Sequence, residues 1–358
     1  MSKLEGTNQW SDTHRPNKLD AMIGQEKAVK RAKGMKKSGN IPHCLLVVGK
    51  TSSGKTTFVR NFEQFINDYP GDTDDLIEYN IAEDSGKDDI KEIIHTADYM
   101  PKHKFRVMFL DEAHAMTTHA AKALLKPLEE PHKGIVWVLA TDQPSKLPSQ
   151  ILNRCMPINL EDYTRESMLA ILKRVYKKEK LDWGDNYKKI LKTIVDVSGF
   201  QPRMAIQLMQ GVASEIEGGE KVSKATIAAV AETLPAWALD KVAAKIILCC
   251  YVGSLTSLLQ TLGDTSDYVG LVNVGLELHR YLLDMEGNAK TYHSFPRKNL
   301  RELLKNHSKL TYPSTAEILA LHSTLTRIKM MMASYSVGEY HLLATELGKF
   351  VTDKRKNK

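Results

Sequence analysis

Three short segments carry residue types that together could hydrolyse a nucleoside triphosphate. Residues 49–56 have the spacing G-x-x-x-x-G-K-[ST], in which glycines let backbone N–H groups turn toward phosphates. Asp111 and Glu112 are adjacent acids that could hold a metal ion and activate a water molecule. Arg154 comes from a later segment, expected at the edge of the same domain, where it could complete a neighbour's site. The combination predicts an ATPase that works in a ring.

The phosphate loop lies between elements that its mechanism requires. Residues 44–48 are apolar and β-branched, which predicts a buried strand, and a helical pattern runs over residues 56–67. The helix would direct the positive end of its dipole at the phosphates. A Ser/Thr-rich turn without a ligand would leave Lys55 unexplained. The predicted nucleotide-binding residues of this loop are Gly49, Thr51, Ser52, Ser53, Gly54, Lys55, Thr56 and Thr57.

The acidic pair follows a second predicted buried strand, residues 105–110. Ligands of open parallel sheets bind at the carboxyl ends of the strands. We therefore expect Thr56 and Asp111 to hold Mg²⁺, and Glu112 to polarise the attacking water. The alternative is that the two acids cap a turn. His114 is expected to orient or pack against nearby groups rather than to ligate a metal.

Strands alternate with helices up to about residue 160, which predicts an α/β fold with a doubly wound parallel sheet. Beyond that point the pattern is helical throughout, and Pro235 marks an expected hinge. We predict a nucleotide-binding domain at 1–160, a small helical domain at 161–234 and a further helical domain at 235–358. The further predicted strands are 76–80 and 134–140; the further helices are 88–100, 117–130, 166–178, 187–197, 202–217, 223–233, 242–252, 269–283 and 316–334.

The composition suits a globular protein of two or three domains. The chain has 358 residues, 42% of them hydrophobic, and a formal net charge of +7. That charge suits a polyanionic partner, and a lysine-rich solvated surface would look the same. The four cysteines lack metal-type spacing and are expected to be reduced core thiols. Without an apolar signal segment or a membrane span, the protein is expected to be soluble and cytoplasmic.

Several runs resemble the AAA+ ATPase subunits of sliding-clamp loaders. They read FLDEAHAM at 109–116, ALLKPLEEP at 123–131 and ILNRC at 151–155, with a further match between residues 10 and 25. The resemblance is to the bacterial gamma/tau subunit and to the small subunits of replication factor C and of T4-like phages. It extends from residue 10 to about residue 235 and implies an AAA+ sheet, a lid and an oligomerisation collar. A phage-encoded protein acting in a host cytoplasm would fit this resemblance.

The resemblance also implies roles for individual residues. Arg154 takes the place of an arginine finger that acts on the ATP of the adjacent subunit; an ordinary surface salt bridge is the alternative. Asp142, or Thr141 beside it, takes the first sensor position, and Arg203 takes the second. Lys50 adds a charge near the phosphates, and His14 replaces a tyrosine of the relatives. The implied adenine-side residues are Arg15, Pro16 and Ile23.

The implied ligands and partners are ATP, Mg²⁺, a sliding clamp, primer–template DNA and the other subunits of a pentameric ring, with no membrane. By resemblance, Lys87 and Lys91 at a helix start, and Lys122 on the next helix, are candidates for DNA phosphate contacts. Solvated lysines are the alternative there.

Two other functions remain open from the sequence. One is a non-catalytic ring subunit, against which the intact Lys55, Thr56, Asp111 and Glu112 argue. The other is a DNA-remodelling ATPase or helicase, because DEAH also labels a helicase family. That family needs a second motor domain, whereas residues 236–358 have a plain helical pattern.

Overall fold

The computed structural model divides the chain into two compact units. The first unit comprises residues 1–181 and 200–207, and the second comprises residues 182–199 and 208–358. The three-domain division of the sequence analysis stays a prediction. The structure describes residues 9–69, 71, 74–83, 87–218, 223–233, 235–263, 268, 271–272, 274–276, 313–334 and 339–356.

The first unit is built on a five-stranded parallel sheet with strand order β2-β3-β4-β1-β5. Short 3₁₀ turns join some of its elements. The elements are α1 (Trp10–Thr13), α2 (Glu26–Ser38), β1 (Cys44–Val48), α3 (Lys55–Asn67), β2 (Leu76–Asn80), α4 (Lys87–Thr96), β3 (Arg106–Asp111), α5 (Thr118–Glu129), β4 (Ile135–Thr141), α6 (Ser149–Leu152), β5 (Met156–Asn159) and α7 (Arg165–Lys178).

Both faces of the sheet are covered, because successive strand side chains point to opposite sides. On β1, Leu45 and Val47 pack with α2 and α3 on one face. Leu46 packs on the other face in a cluster that includes residues of α4 and α5. The predicted α/β fold class with a parallel sheet is therefore confirmed, and the carboxyl ends of β1, β3 and β4 meet at one edge.

The predicted strands are confirmed within one residue at each end, but β5 was not predicted. It is an edge strand that pairs only with β1, and of its four residues only Ile158 is buried. Pro157 also weakens the strand pattern in the sequence, because proline within sheets occurs mostly in edge strands. Helix α2 was missed as well, although its buried Ala28, Ala32 and Met35 recur at helical spacing.

Helix α4 is shorter than predicted, ending at Thr96 rather than residue 100. Pro101 disfavours a helical conformation at Met100, the residue before it, so the helix does not extend to the predicted end. The predicted start of the next helix is confirmed within one residue: α5 begins at Thr118, and the side chain of its N-cap, Thr117, accepts a hydrogen bond from the Ala120 backbone N–H.

The prediction of four reduced thiols is wrong for one pair, because Cys44 and Cys155 form a disulfide. The parallel register pairs Leu45 with Met156, so the preceding residues of the two segments lie side by side. Their Cα atoms are 4.7 Å apart, and both side chains are buried. Cys249 and Cys250 are buried apolar helix residues, as predicted.

Arg106 and Asp111 are the charged residues at the two ends of β3, and the contact with Asp75 accounts for Arg106. Asp75 is fully buried; its carboxylate accepts hydrogen bonds from the backbone N–H groups of Lys102 (2.9 Å) and His103 (2.6 Å) and lies 3.3 Å from the Arg106 guanidinium. Burial alone would raise the pKa of Asp75, but these donors and the His103 ring lower it below its usual range.

Replacing this carboxylate is expected to destabilise the first unit. Asp75→Asn leaves Arg106 buried without a countercharge, which costs about 3–5 kcal/mol at neutral pH. Because the folded pKa is lowered, the wild-type contribution is present above the ordinary aspartate pKa and is lost as pH falls below about 4. Urea unfolding of both proteins at pH 7 and near pH 3 would measure this. An equal difference at the two pH values would contradict the assignment to the charge.

All the secondary structure described in the second unit is helical. Residues of the helices Pro235–Val252, Leu255–Gly263, Thr315–Ser334 and Glu339–Lys356 form one core, which buries Tyr251, Leu258, Ile318 and Leu343. The helices are α8 (Tyr187–Val197), α9 (Pro202–Glu217, whose first residues belong to the first unit), α10 (Lys224–Thr233), α11 (Pro235–Val252), α12 (Leu255–Gly263), α13 (Thr315–Ser334) and α14 (Glu339–Lys356).

Most predicted helices of the C-terminal half are confirmed within one residue. Helix α11 begins earlier than predicted, at Pro235, which suits the first position of a helix; a hinge there stays a prediction. The helix predicted at residues 269–283 lies almost wholly outside the described residues. Within the described part of the chain, every helix is too short or too polar to cross a membrane.

Candidate nucleotide-binding site

The phosphate loop joins β1 to α3 in a conformation that requires its glycines. Gly54 precedes α3 with a φ of 97°, in the left-handed region. A Cβ on Gly49 would lie 2.4 Å from the Ser53 Oγ, closer than non-bonded atoms approach. Ser52 also has a positive φ, of 63°. The loop therefore closes tightly and leads into the N-terminus of α3, where anions bind favourably.

Lys55 is the buried cation of this loop. It is 7% exposed, and its Nζ donates hydrogen bonds to the backbone oxygens of Gly49 (3.0 Å) and Lys50 (3.4 Å). Carbonyl groups compensate a buried ammonium only in part. The Ser53 Oγ is also buried and has no hydrogen-bond partner among the described residues. A buried cation and an unsatisfied hydroxyl at a helix N-terminus fit the phosphates of a nucleotide.

Thr56 and Asp111 are brought together from α3 and β3. The Thr56 hydroxyl donates to the Asp111 Oδ2 at 3.0 Å, and the other Asp111 oxygen accepts from the Glu112 backbone N–H at 2.8 Å. A hydroxyl and a carboxylate are the hard oxygen ligands that Mg²⁺ prefers, so the pair fits the ion. Glu112 follows with a φ of 49° and a side chain 41% exposed.

The ends of β3 and β4 meet at His114. Its Nδ1 lies 3.3 Å from the Glu112 Oε2, 3.3 Å from the Thr141 Oγ1 and 3.5 Å from the Asp142 Oδ1. Asp142 also lies 3.5 Å from the Thr51 hydroxyl of the phosphate loop. Both first-sensor candidates thus lie beside the loop and the acidic pair.

A cavity opens between the phosphate loop, the N-terminal segment and the start of α9. Most of the predicted nucleotide residues line this cavity. Gly49 and Ser53 are buried within the phosphate loop and do not line it. The predicted residues that line it are Arg15, Pro16, Ile23, Thr51, Ser52, Gly54, Lys55, Thr56, Thr57, Asp111, Glu112 and Arg203.

Tyr163 and Arg174 are among the cavity residues that were not predicted. The Tyr163 hydroxyl donates to the Ser53 backbone oxygen at 3.1 Å, and burial raises its pKa. Arg174 donates to the Ala21 backbone oxygen at 2.8 Å, and burial lowers its pKa. Both bind the loops that form the site. Neither residue belongs to a short sequence motif, so only their hydrogen-bond partners in the structure identify them as site residues.

Two residues that depart from the family pattern, His14 and Lys50, each lie against a carboxylate. The His14 Nε2 lies 2.5 Å from Glu179, and the ring is almost fully buried. The Lys50 Nζ lies 2.6 Å from Asp162. The extra charge of Lys50 is therefore matched by an acid within the same unit.

Arg154 lies away from the cavity of its own chain, on the turn after α6. It donates to the Gln150 backbone oxygen at 2.6 Å and pairs with Glu129, whose side chain is 48% exposed. Exposed pairs contribute only about 0–1 kcal/mol. The surface salt bridge that was the alternative is present. The Arg154 side chain is 29% exposed, and its Nε has no hydrogen-bond partner among the described residues, so the pair with Glu129 does not satisfy the guanidinium fully.

The lysine candidates lie on neighbouring helices. Lys91 on α4 and Lys122 on α5 are exposed, and these two helices pack against each other. Lys87 begins α4, but its side chain and residues 84–86 lie outside the described part of the chain. Phosphate contact by the three lysines stays a prediction.

Comparison with known proteins gives consistent relatives. Residues 70–164 match the family model described as DNA polymerase III, delta subunit. The chain is 32% identical over 216 residues to DNA polymerase III subunit gamma of Buchnera aphidicola, covering 55% of this chain and 58% of that protein. It is 30% identical over 236 residues to the replication factor C small subunit of Archaeoglobus fulgidus, covering 64% of this chain and 70% of that protein.

The solved structure of the Thermotoga maritima RuvB Holliday junction branch migration motor has the same fold. The TM-score is 0.57 at 18% identity, over 86% of this chain and 98% of that one. The parallel sheet and the phosphate loop between β1 and α3 define the class of phosphate-loop nucleotide-binding proteins. The chain is 30% identical to the Archaeoglobus fulgidus protein over 70% of its length, and it therefore belongs to the clamp-loader family that contains the replication factor C small subunit.

Proposed function

We propose that this chain is an ATPase subunit of a DNA sliding-clamp loader and acts in a ring with other loader subunits. ATP binding orders the ring so that it opens a clamp and grips primer–template DNA. Hydrolysis then releases the clamp closed around the DNA. Family membership supports the loader role, and the residues of the cavity support the ATPase role.

One observation carries the proposal. The cavity gathers the phosphate lysine Lys55, the metal-ligand pair Thr56 and Asp111, and the acid Glu112, whereas Arg154 lies elsewhere on the same unit. An arginine finger that lies outside the cavity of its own chain needs the nucleotide of a neighbouring subunit to act on. A ring of similar subunits would supply it.

Each group then has a separate task. Lys55 and the loop N–H groups bind the phosphates, with Arg203, which also lines the cavity, as a further candidate cation. Glu112 orients and polarises the attacking water. Mg²⁺ bound by Thr56 and Asp111 would neutralise charge on the phosphates. Arg154 acts on the nucleotide of the adjacent subunit, which makes turnover depend on assembly.

The test is ATP turnover by the assembled ring with and without primer–template DNA and a clamp. We expect both to raise the rate. A ring that binds ATP without turning it over would identify a non-catalytic subunit instead. Unwinding of duplex DNA in a strand-displacement assay would favour a helicase.

The lysines at the start of α4 are expected to contact DNA phosphates. Lys87→Ala with Lys91→Ala should weaken primer–template binding and flatten its salt dependence, because each lost phosphate contact lowers the log–log slope by roughly 1. Binding titrations at several salt concentrations measure the slope.

The matched control is Lys102→Ala with Lys104→Ala, which removes the same charge from lysines paired with Asp74 and Asp68. An equal change of slope in the control would mean that the α4 lysines act only through net charge. An unchanged slope in the α4 variant would mean that they are merely solvated.

A further inference from the structure

His114 joins two parts of the site that the proposed function treats separately. Glu112 follows β3, whereas Thr141 ends β4 and Asp142 comes directly after it. Metal-ligand atoms of Glu112, His114 and Asp142 all lie within 4.8 Å of one another. The His114 side chain is 18% exposed, so the ring lies between the two strand ends rather than in solvent.

One ring nitrogen faces all of these partners. The His114 Nδ1 is within 3.3 Å of Glu112 and Thr141 and 3.5 Å from Asp142, whereas its Nε2 lies 3.4 Å from the Gln143 side chain. A single N–H can serve one acceptor well at a time. The Thr141 oxygen already accepts from the Gln143 backbone N–H at 2.9 Å, which leaves its hydroxyl hydrogen for another acceptor.

Two arrangements follow from this competition. With hydrogen on Nδ1, His114 donates to a carboxylate and fixes Glu112. With hydrogen on Nε2, Nδ1 accepts from the Thr141 hydroxyl, and the carboxylate of Glu112 is released. The end of β4 therefore influences the orientation of Glu112 through the ring, although the two strands contribute different groups to the site.

We propose that His114 is a positioning residue, which holds the Glu112 carboxylate for water activation and links it to the first-sensor end of β4. This inference rests on the proposed ATPase function and deepens it. His114 acts through Glu112, so its loss lowers turnover and leaves nucleotide binding unchanged. The Thr51 hydroxyl of the phosphate loop lies 3.5 Å from Asp142, which in turn lies 3.5 Å from the His114 ring.

The test uses three substitutions in the assembled ring. His114→Asn keeps a donor near the Nδ1 position, His114→Gln moves it to the Nε2 position, and His114→Ala removes both. We expect kcat to fall about tenfold to a hundredfold in the Ala and Gln variants, the range for losing a hydrogen bond to a charged group. The Asn variant should keep most of the rate, and KM and nucleotide Kd should stay within twofold in all three.

A double-mutant cycle decides whether the effect passes through Glu112. In a Glu112→Gln background, His114→Ala should lower the remaining rate less than twofold. His132→Ala, at an exposed histidine paired with Asp98, is the matched control and should leave turnover unchanged.

Additive losses in the cycle, or an Asn variant as slow as the Ala variant, would overturn the positioning role. If wild type turns over ATP and His114→Ala is equally fast, only this inference fails. If wild type binds ATP without turnover, the proposed function fails and the inference fails with it.

Discussion

Lys55→Ala is expected to abolish nucleotide binding. The substitution removes the one lysine that lies buried within the phosphate loop, where it contacts the backbone oxygens of Gly49 and Lys50. Phosphate affinity at such a loop depends on this charge together with the backbone N–H groups. Equilibrium binding of a fluorescent ATP analogue measures the loss, which should exceed a hundredfold in Kd, roughly 3 kcal/mol or more.

Glu112→Gln is the matched variant for this measurement. It should bind ATP as wild type does and hydrolyse it slowly, because only the group that polarises water is removed. Equal nucleotide affinity in Lys55→Ala and wild type would reject the assignment of the cavity as the nucleotide site. Circular dichroism of both variants would verify that they fold.

Arg154→Ala is expected to leave ATP binding intact in its own chain and to stop hydrolysis in the neighbour. Arg154 lies outside its own cavity, and its pairing with Glu129 is exposed enough to be exchanged. Arginine fingers are worth about 10³–10⁵ in rate in well-studied enzymes, and a clamp loader could use less. Arg31→Ala, at an exposed arginine of α2, is the control and should leave the rate unchanged.

Mixing separates a neighbour's role from a role within one chain. Rings that combine Arg154→Ala with Lys55→Ala subunits should regain activity wherever an intact Lys55 site faces an intact Arg154. If Arg154 acted on its own nucleotide, every subunit would carry a defect and no ratio would restore turnover. Absence of recovery, with ring assembly verified, would reject the role in a neighbouring site.

The strands of the sheet could be predicted from sequence because they are buried on both faces. Cys44–Val48 and Ile135–Thr141 are nearly continuous apolar runs, as expected for strands that are buried on both faces of a parallel sheet. Met156–Asn159 could not be predicted, since an edge strand with one buried residue leaves no such pattern. The disulfide between Cys44 and Cys155 depends on that same edge pairing, so it was missed for the same reason.

The loop and acid residues of the site were predictable because spacing along the chain fixes their geometry. A phosphate loop must place Lys55 and Thr56 on the first turn of α3, and Asp111 follows from the end of a central strand. Tyr163, Arg174 and Asp75 act through backbone partners far away in sequence. Their roles depend on tertiary contacts, which no local pattern encodes.

His114 shows the limit of sequence reasoning within a recognised motif. Its position in the DEAH run predicted an orienting role, but not which groups it would orient. That the ring faces Glu112 and the end of β4 together depends on the parallel register of β3 and β4, in which Leu110 pairs with Leu139.

Nucleotide-dependent retention on a sliding clamp tests the central claim most directly. The chain and its companion subunits are passed over immobilised clamp from the same genome, with a non-hydrolysable ATP analogue, with ADP or without nucleotide. We predict retention with the analogue, little retention otherwise, and loss of retention in rings that carry Lys55→Ala. Failure to bind the clamp with the analogue, in rings shown to be assembled and to bind nucleotide, would contradict the assignment as a clamp-loader ATPase subunit.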